Sequence, residues 1–263
     1  MAGEPRATKK ILVIGIGAGN PDYLTIQAVN ALSQVDVFFI VDKGREKGDL
    51  NRIRREICQR FIVNPAYRWV EVPDPVRDAA DPCYRTDVDS WRAKRGDLYR
   101  SLIADEMKKG ECGAFLVWGD PALYDGTLPI LERILAEGRV RFEYEVIPGI
   151  SSMQALAARH RIALNRIGEA IQITTGRRLA GGFPDHVDNL VVFLDADMDL
   201  GSLPDDIDIY WGAYLGMEDE VLVSGKLKAL LPDIERIRKA KKAEKGWIMD
   251  TYLLRRNTPD KNP

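Results

Sequence analysis

Length, composition and charge exclude several classes of protein. The chain has 263 residues, of which 45% are hydrophobic and 30% are charged, and its formal net charge is -2. A chain of this length forms one large or two small domains whose core needs no disulfide support. The nearly balanced charge is not typical of proteins that bind nucleic acid or an anionic membrane, so neither is expected as a partner.

The cysteines and the first residues indicate where the protein works. Cys58, Cys83 and Cys112 are dispersed without a C-x-x-C spacing, which disfavours a zinc site, a redox motif or a disulfide framework. Residues 1–10 lack the apolar core of a signal peptide, and no apolar run approaches the ~20 residues that a membrane helix needs. We therefore expect a cytoplasmic protein without a metal.

Short apolar runs alternate with longer amphipathic stretches over the first part of the chain. This rhythm predicts an α/β fold with largely parallel strands. The predicted strands are 11–14, 35–41, 68–72, 113–118 and 142–147, and the predicted helices are 25–34, 49–61, 87–109 and 127–136.

A second group of elements follows Pro148 and predicts a more antiparallel sheet. A short helix from Ser151 opens it, and the basic segment 234–245 is interpreted as a solvated helix. We place the boundary between the two domains where candidate site loops begin, giving an N-terminal domain 1–121 and a C-terminal domain 122–263. The strands predicted in the second group are 170–175, 190–194, 207–215, 220–225 and 247–254.

The stretch GIGAGNPDYLT at 15–25 follows the first strand and has two interpretations. Its glycines, with Asp42 at the end of the next strand, are similar to a dinucleotide-binding turn and favour a nicotinamide-dependent oxidoreductase. Against this, Asn20 replaces the last fingerprint glycine, and four residues separate the loop from the helix that would bind a pyrophosphate. A tight turn without a ligand is the second interpretation.

Two further loops follow predicted strands. WGDPALYDG (118–126) contains a rigid Gly-Asp-Pro corner, and IPGISS (147–152) ends in two hydroxyls at a helix start. Because ligands of parallel α/β sheets bind at the carboxyl ends of strands, the three loops together predict one site.

In this order and spacing, the three loops resemble the signatures of the tetrapyrrole methylase family: a GxGPGDxxxLT-like loop, a GDP loop and a PGxS-type loop. The resemblance covers nearly the whole chain and implies two α/β domains with the active-site cleft between them, as a homodimer. It also implies S-adenosyl-L-methionine as the cofactor, with S-adenosyl-L-homocysteine as its product. The chain departs from the family loop at Ala18 and Asn20, so a role that rests on the family's aspartate is not carried over.

The resemblance also implies residue roles. The glycine-rich loop lies on the substrate side, which gives substrate roles to Gly15, Gly17 and Gly19. Matching the family's cofactor contacts position by position assigns them to Gly119, Asp120, Leu123, Ser151, Ser152, Leu194 and Leu215.

The implied substrate is a precorrin, methylated at C-1 with loss of its C-20 acetyl group as acetate, in cobalamin synthesis. Removal of the acetyl group needs a residue that activates water, and the candidates on the predicted loops are Asp22, Tyr23, Asp42 and Tyr124. The substrate's carboxylates call for arginines, for which we select Arg45, Arg52, Arg177 and Arg178. The alternatives are the oxidoreductase, a methyltransferase acting on another precorrin carbon, and a non-catalytic nucleoside-binding module.

Overall fold

A computed structural model describes residues 8–42, 44, 48–75, 84–179 and 181–257. The chain divides into two compact units. The first unit comprises Met1–Gly17 and Pro21–Ile150, and the second comprises Ala18–Asn20 and Ser151–Pro263. In the part of the chain that the structure describes, no helix is both long and apolar enough to span a membrane.

The first unit is built on five parallel strands in the order β3-β2-β4-β1-β5. β4 is buried along its whole length, as expected for an inner strand covered on both faces. On one face, the rings of Tyr99 and Phe115 stack with their centroids 4.4 Å apart. The strands are β1 (Lys9–Gly15), β2 (Val37–Asp42), β3 (Arg68–Pro73), β4 (Cys112–Val117) and β5 (Phe142–Ile147).

The helices of the first unit lie close to their predicted positions. Thr25 caps the first one by accepting a hydrogen bond from the Ala28 amide at 3.0 Å, and Gly138 ends the fourth in a left-handed conformation. A short 3-10 turn, Pro21–Tyr23, separates the glycine-rich loop from the first helix. The helices are α1 (Ile26–Leu32), α2 (Gly48–Phe61), α3 (Tyr84–Asp105) and α4 (Thr127–Glu137).

The strand order places a switch point between β1 and β4. From β1 the chain moves to β2 on one side, whereas from β4 it moves to β5 on the other side. The two neighbouring strands therefore send their connections in opposite directions and leave a crevice at their carboxyl ends, where α/β proteins bind ligands. The glycine-rich loop and the Gly-Asp-Pro loop both begin there.

The predicted domain boundary at residue 121 differs from the division in the structure, which falls after Ile150. β5 pairs with β1 over six residues, from Lys9 with Phe142 to Ile14 with Ile147. The segment from 122 to 150 therefore completes the first sheet. Site loops lie at the ends of strands inside a sheet as well as at domain limits, so their position did not reveal the boundary.

The second unit contains a mixed sheet in the order β6-β7-β10-β8-β9, in which only the β6-β7 pair is parallel. This confirms the more antiparallel sheet expected from the sequence. Because β10 runs opposite to both β7 and β8, the carboxyl ends of β6, β7 and β8 share one edge with the start of β10. The strands are β6 (Gln172–Thr175), β7 (Asn189–Phe193), β8 (Ile207–Ala213), β9 (Val221–Lys226) and β10 (Asp250–Arg256).

Three helices accompany this sheet: α5 (Ser152–His160), α6 (Gly176–Leu179) and α7 (Leu227–Lys245). The interpretation of 234–245 as a solvated helix needs one correction, since Arg238 is 8% exposed. Its position continues the buried series of α7 at helical spacing, after Leu227, Leu231 and Ile234.

Candidate active site

The loops after β1 and β4 are joined directly through their backbones. The Gly17 amide donates to the Gly119 carbonyl at 3.3 Å, and the Gly119 amide donates back to the Gly17 carbonyl at 2.8 Å. Both glycines have positive φ, 79° and 70°, which only glycine adopts without steric cost. The structure thus brings two of the sequence-predicted loops together at the switch point.

The loop after β5 closes against the same pair. A Cβ atom on Gly149 would lie 2.1 Å from the Gly119 carbonyl oxygen, and one on Gly15 would lie 2.6 Å from the Gly149 nitrogen. No side chain fits there, so the three loops pack backbone to backbone. Gly149 was not among the residues that sequence reasoning selected, although the Pro-Gly pair in IPGISS is a signal for it.

Asp120 ties two of these loops together through its carboxylate. Oδ2 accepts a hydrogen bond from the Gly149 amide at 2.9 Å, and Oδ1 accepts one from the Ala122 amide at 2.8 Å. The Asp120 carbonyl in turn accepts from the Leu123 amide at 3.2 Å. Asp120 therefore fixes the shape of the Gly-Asp-Pro loop. Trp118 beside it has a buried indole N–H that finds no hydrogen-bond partner within the described part of the chain.

The remaining residues of the glycine-rich loop serve close packing. A Cβ on Gly17 would lie 2.7 Å from the Cβ of Tyr23, and one on Gly19 would lie 2.5 Å from the Leu215 carbonyl oxygen. Gly19 and Leu215 are both predicted site residues, and the structure places them in contact within the second unit. Leu215 itself is buried, with 3% of its surface exposed.

The predicted residues of the second unit lie at strand or helix ends. Ser151 is the N-cap of α5, and both its backbone amide and its hydroxyl bond to the Gln154 side-chain oxygen. The Ser152 hydroxyl lies 2.8 Å from the Thr251 hydroxyl at the start of β10. Ser151 thus stabilises the helix start, and the Ser152–Thr251 pair joins α5 to the sheet.

Leu194, directly after β7, has φ = 51° and exposes 68% of its surface. A left-handed leucine is uncommon because its Cβ crowds the backbone, and such residues cluster at functional sites. An exposed leucine in that conformation is not a core residue. Its contact with a ligand stays a prediction.

The structure adds Asp195, which sequence reasoning missed, as the residue that holds Leu194 in place. Its Oδ1 accepts a hydrogen bond from the Met198 amide at 2.9 Å, its Oδ2 accepts one from the Tyr252 hydroxyl, and its carbonyl accepts one from Arg238 Nη2 at 2.6 Å. Burial, followed by the Asp195 carboxylate, raises the pKa of Tyr252 well above its usual range.

Arg238 also forms a buried ion pair with Asp250. Its Nε donates to Asp250 Oδ2 at 2.7 Å, and the Trp211 indole donates to the same oxygen at 2.9 Å. Burial raises the pKa of Asp250, and the Arg238 guanidinium opposes that shift. The loop after β7 is therefore held by a network that includes residues of α7 and β10. The sequence did not reveal this network, because Arg238 is one of several basic residues in its segment.

The four candidates for activating water have different environments. Asp22 is exposed and pairs with Arg60 at 2.5 Å, Tyr23 packs beneath Gly17, and Tyr124 is 46% exposed with φ = 53°. Asp42 is half-buried at the end of β2, where its Oδ1 accepts from Asn51 Nδ2 at 2.9 Å and from the Gly44 amide at 3.2 Å. Only Asp42 is held at a strand end with partners on one oxygen.

The predicted arginines are less well placed. Arg52 is exposed on α2 between Asp49 and Glu56, at 3.8 and 3.5 Å. Arg177 and Arg178 are exposed in α6, which follows β6, and Arg45 lies outside the described residues.

Comparison with known proteins gives the family. A model described as Tetrapyrrole (Corrin/Porphyrin) Methylases matches residues 10–231. Precorrin-6A synthase [deacetylating] of a Sinorhizobium species is 48% identical over 249 residues, 94% of this chain and 95% of that protein.

Solved structures agree with this match. A protein related to cobalamin synthesis (CobF) of Corynebacterium diphtheriae is 37% identical, covers 96% of this chain and 100% of its own, and superposes with a TM-score of 0.83. Uroporphyrin-III C-methyl transferase of Thermus thermophilus, complexed with S-adenyl homocysteine, shares the fold, with 16% identity, 93% and 96% coverage and a TM-score of 0.56. The chain belongs to the tetrapyrrole (corrin/porphyrin) methylase family.

Proposed function

We propose that this protein is an S-adenosyl-L-methionine-dependent C-methyltransferase of cobalamin biosynthesis. It converts precorrin-5 to precorrin-6A by methylating C-1 and releasing the acetyl group as acetate. The observation that carries the proposal is the 48% identity to precorrin-6A synthase over 94% of this chain and 95% of that protein. Strand-end loops joined at a switch point support it from the structure.

The residues present fit S-adenosyl-L-methionine, which needs apolar contact for its adenine and polar groups for its amino acid part. Leu194, exposed at φ = 51°, is a group of the first kind. The Trp118 indole N–H, which has no hydrogen-bond partner among the described residues, is a group of the second kind. When bound, S-adenosyl-L-methionine supplies an activated methyl group and is converted to S-adenosyl-L-homocysteine. The residues that we propose to hold it are Gly119, Asp120, Leu123, Ser151, Ser152, Leu194 and Leu215.

The contribution of the chain to methyl transfer is positioning. The loops after β1, β4 and β5 are fixed by backbone contacts that admit no Cβ atom, so the groups that they present do not need to be ordered during the reaction. Alignment of two reactants in this way can contribute ~7–11 kcal/mol to lowering a barrier. The substrate roles of Gly15, Gly17 and Gly19 belong to this proposal.

For removal of the acetyl group we select Asp42. Among the described residues its Oδ2 has no hydrogen-bond partner, whereas Oδ1 is held by two donors. Water adds to the acetyl carbonyl carbon while Asp42 accepts its proton. The bond from that carbon to C-20 then breaks, its electron pair stays with the methylated macrocycle, and acetate leaves.

The test is turnover of precorrin-5 with S-adenosyl-L-methionine that carries a labelled methyl group. We expect one labelled methyl in the tetrapyrrole for each acetate released. Label without acetate would assign the chain to a different precorrin methyltransferase, and binding without turnover would assign it to a non-catalytic module. Asp42→Asn should retain methyl transfer and lose acetate release by ~10²–10⁴-fold, as expected for a general base.

Two finer predictions accompany this function. The family resemblance predicts a homodimer. Measuring the molecular mass of the purified protein in solution tests this prediction.

The dispersed cysteines favour a reducing compartment, so we expect the enzyme to work in the cytoplasm. The location of a tagged copy of the full chain in its own cells tests this prediction.

A further inference from the structure

Arg54 is a half-buried guanidinium that reaches from α2 to the end of β4. Its Nε donates to the Leu116 carbonyl at 3.0 Å, and its Nη1 donates to the Asn51 side-chain oxygen at 3.3 Å. Asn51 also donates to Asp42, at 2.9 Å. The three side chains therefore form a chain of contacts along the carboxyl edge of β2 and β4.

The Arg54 guanidinium has no carboxylate in direct contact in the part of the chain that the structure describes. Among the described residues, no carboxylate lies within 4 Å of its nitrogens, and Nη2 has no hydrogen-bond partner. Its neighbours on the same helix differ, since Arg55 pairs with Glu71 at 2.6 Å and Arg60 pairs with Asp22. Burial lowers the pKa of Arg54, and the charges of Tyr99 and Asp125 oppose that shift without cancelling it.

A desolvated cation without an anion is costly, and protein interiors normally supply a partner. Arg54 meets β4 one residue before the strand ends, and β4 borders the switch point with β1. Ligands of such sheets bind at that edge. The missing partner is therefore expected from a ligand, and a carboxylate matches the planar donors of a guanidinium.

We propose that Arg54 binds a side-chain carboxylate of the tetrapyrrole substrate through Nη2, next to Asp42. This inference rests on the proposed function, which makes the substrate a polycarboxylate. It assigns the carboxylate contact on α2 to the half-buried Arg54 and not to the exposed Arg52. Asn51 acts as a positioning residue that fixes Arg54 and Asp42 relative to each other.

The experiment compares Arg54→Met and Arg54→Lys with the wild type. We measure the KM for precorrin-5, kcat, and the Kd for S-adenosyl-L-homocysteine. Arg133→Met is the matched control, because Arg133 is an exposed cation of α4 that pairs only with Glu137 among the described residues. Thermal melts of every variant report whether it folds.

Arg54→Met should raise KM by about 10- to 100-fold, the loss of a charge-assisted hydrogen bond, and leave the Kd for S-adenosyl-L-homocysteine unchanged. Arg133→Met should change neither. If Arg54→Met does not fold, Arg54→Lys decides, since an ammonium lacks the planar fork and should raise KM severalfold. An unchanged KM in the folded variant, or an equal rise in the control, overturns the inference; absence of wild-type turnover overturns the proposed function instead.

Discussion

Asp120 is the residue on which the arrangement of the strand-end loops depends most. Among the residues that the structure describes, it is the one side chain that accepts hydrogen bonds from amides of both the Gly-Asp-Pro loop and the loop after β5. A proline follows it and fixes the backbone beyond. Its role is therefore to hold two loops in register at the switch point.

Asp120→Asn should loosen these loops. An amide offers only one acceptor oxygen, so the Gly149 or the Ala122 amide loses its partner, at a cost of ~1–3 kcal/mol in the free energy of unfolding. We expect weaker binding of S-adenosyl-L-homocysteine in the same variant, measured by calorimetry. Asp97→Asn is the control, because Asp97 is exposed and pairs with Arg100 one turn away, a contact worth ~1 kcal/mol or less. Equal effects in both variants would contradict the prediction.

Leu194 permits a prediction in which stability and binding change in opposite directions. Asparagine tolerates φ near 51° better than leucine, so Leu194→Asn should raise the free energy of unfolding by ~1 kcal/mol. It should also weaken S-adenosyl-L-homocysteine binding, because the apolar contact is lost.

Arg161→Asn is the matched control for this pair of effects. Arg161 has φ = 57° at the exposed C-cap of α5, so its replacement should stabilise the protein without changing binding. Chemical denaturation and calorimetry give the two quantities. A Leu194→Asn protein that binds like the wild type would remove Leu194 from the site.

At the scale of elements, the periodicity of apolar residues predicted the local structure, namely where the strands and helices lie along the chain. The strands and helices of both units follow from the spacing of apolar residues, and Thr25, where the first predicted helix begins, is its N-cap. Contacts between distant segments were not predictable in the same way. Arg238 is one charge in a basic run by sequence, and only the pairing of α7 with β10 shows that it meets Asp250.

The docking of α5 on β8 should depend on pH through His160. Its Nε2 lies 3.0 Å from the Trp211 carbonyl, and its ring meets Tyr210 edge-on. Burial lowers the pKa of His160 below its usual 6.5, while the Trp211 carbonyl and Glu220 oppose the shift and Arg159 adds to it. The unfolded chain therefore takes up the proton first as pH falls, so the free energy of unfolding should decrease below about pH 6.5.

Denaturation of His160→Gln and His186→Gln at pH 7 and pH 5 tests this dependence. His186, the other histidine of the chain, is exposed, and its replacement should leave the decrease intact. His160→Gln should reduce the decrease, which is limited to ~1.4 kcal/mol per pH unit for one proton. An identical pH profile in all three proteins would show that His160 does not cause it.

At the scale of the whole molecule, the sequence predicted the fold class and the set of loops, while the physical reason for each residue came from long-range contacts. The glycines at 15 and 149 are needed because their backbones meet, which neither loop reveals alone. The division after Ile150 follows from the pairing of β5 with β1, 133 residues apart in the first pair, Lys9 with Phe142. Arg54 belongs to no sequence motif and is distinguished by having no directly bonded carboxylate among the residues that the structure describes.

Ligand-induced stabilisation of the whole chain separates the methyltransferase from the nicotinamide alternative. S-adenosyl-L-homocysteine at 100 times its Kd should add ~2.7 kcal/mol to the free energy of unfolding, a rise in melting temperature on the order of 5–10 °C for a chain of this size. NADH should give no rise, because the 3-10 turn Pro21–Tyr23 lies between the glycine-rich loop and α1, which keeps the helix from presenting its first amides to a pyrophosphate. A rise with NADH alone would return the glycine-rich loop to the dinucleotide-binding interpretation, and a smaller rise for Leu194→Asn with S-adenosyl-L-homocysteine would tie the effect to the predicted site.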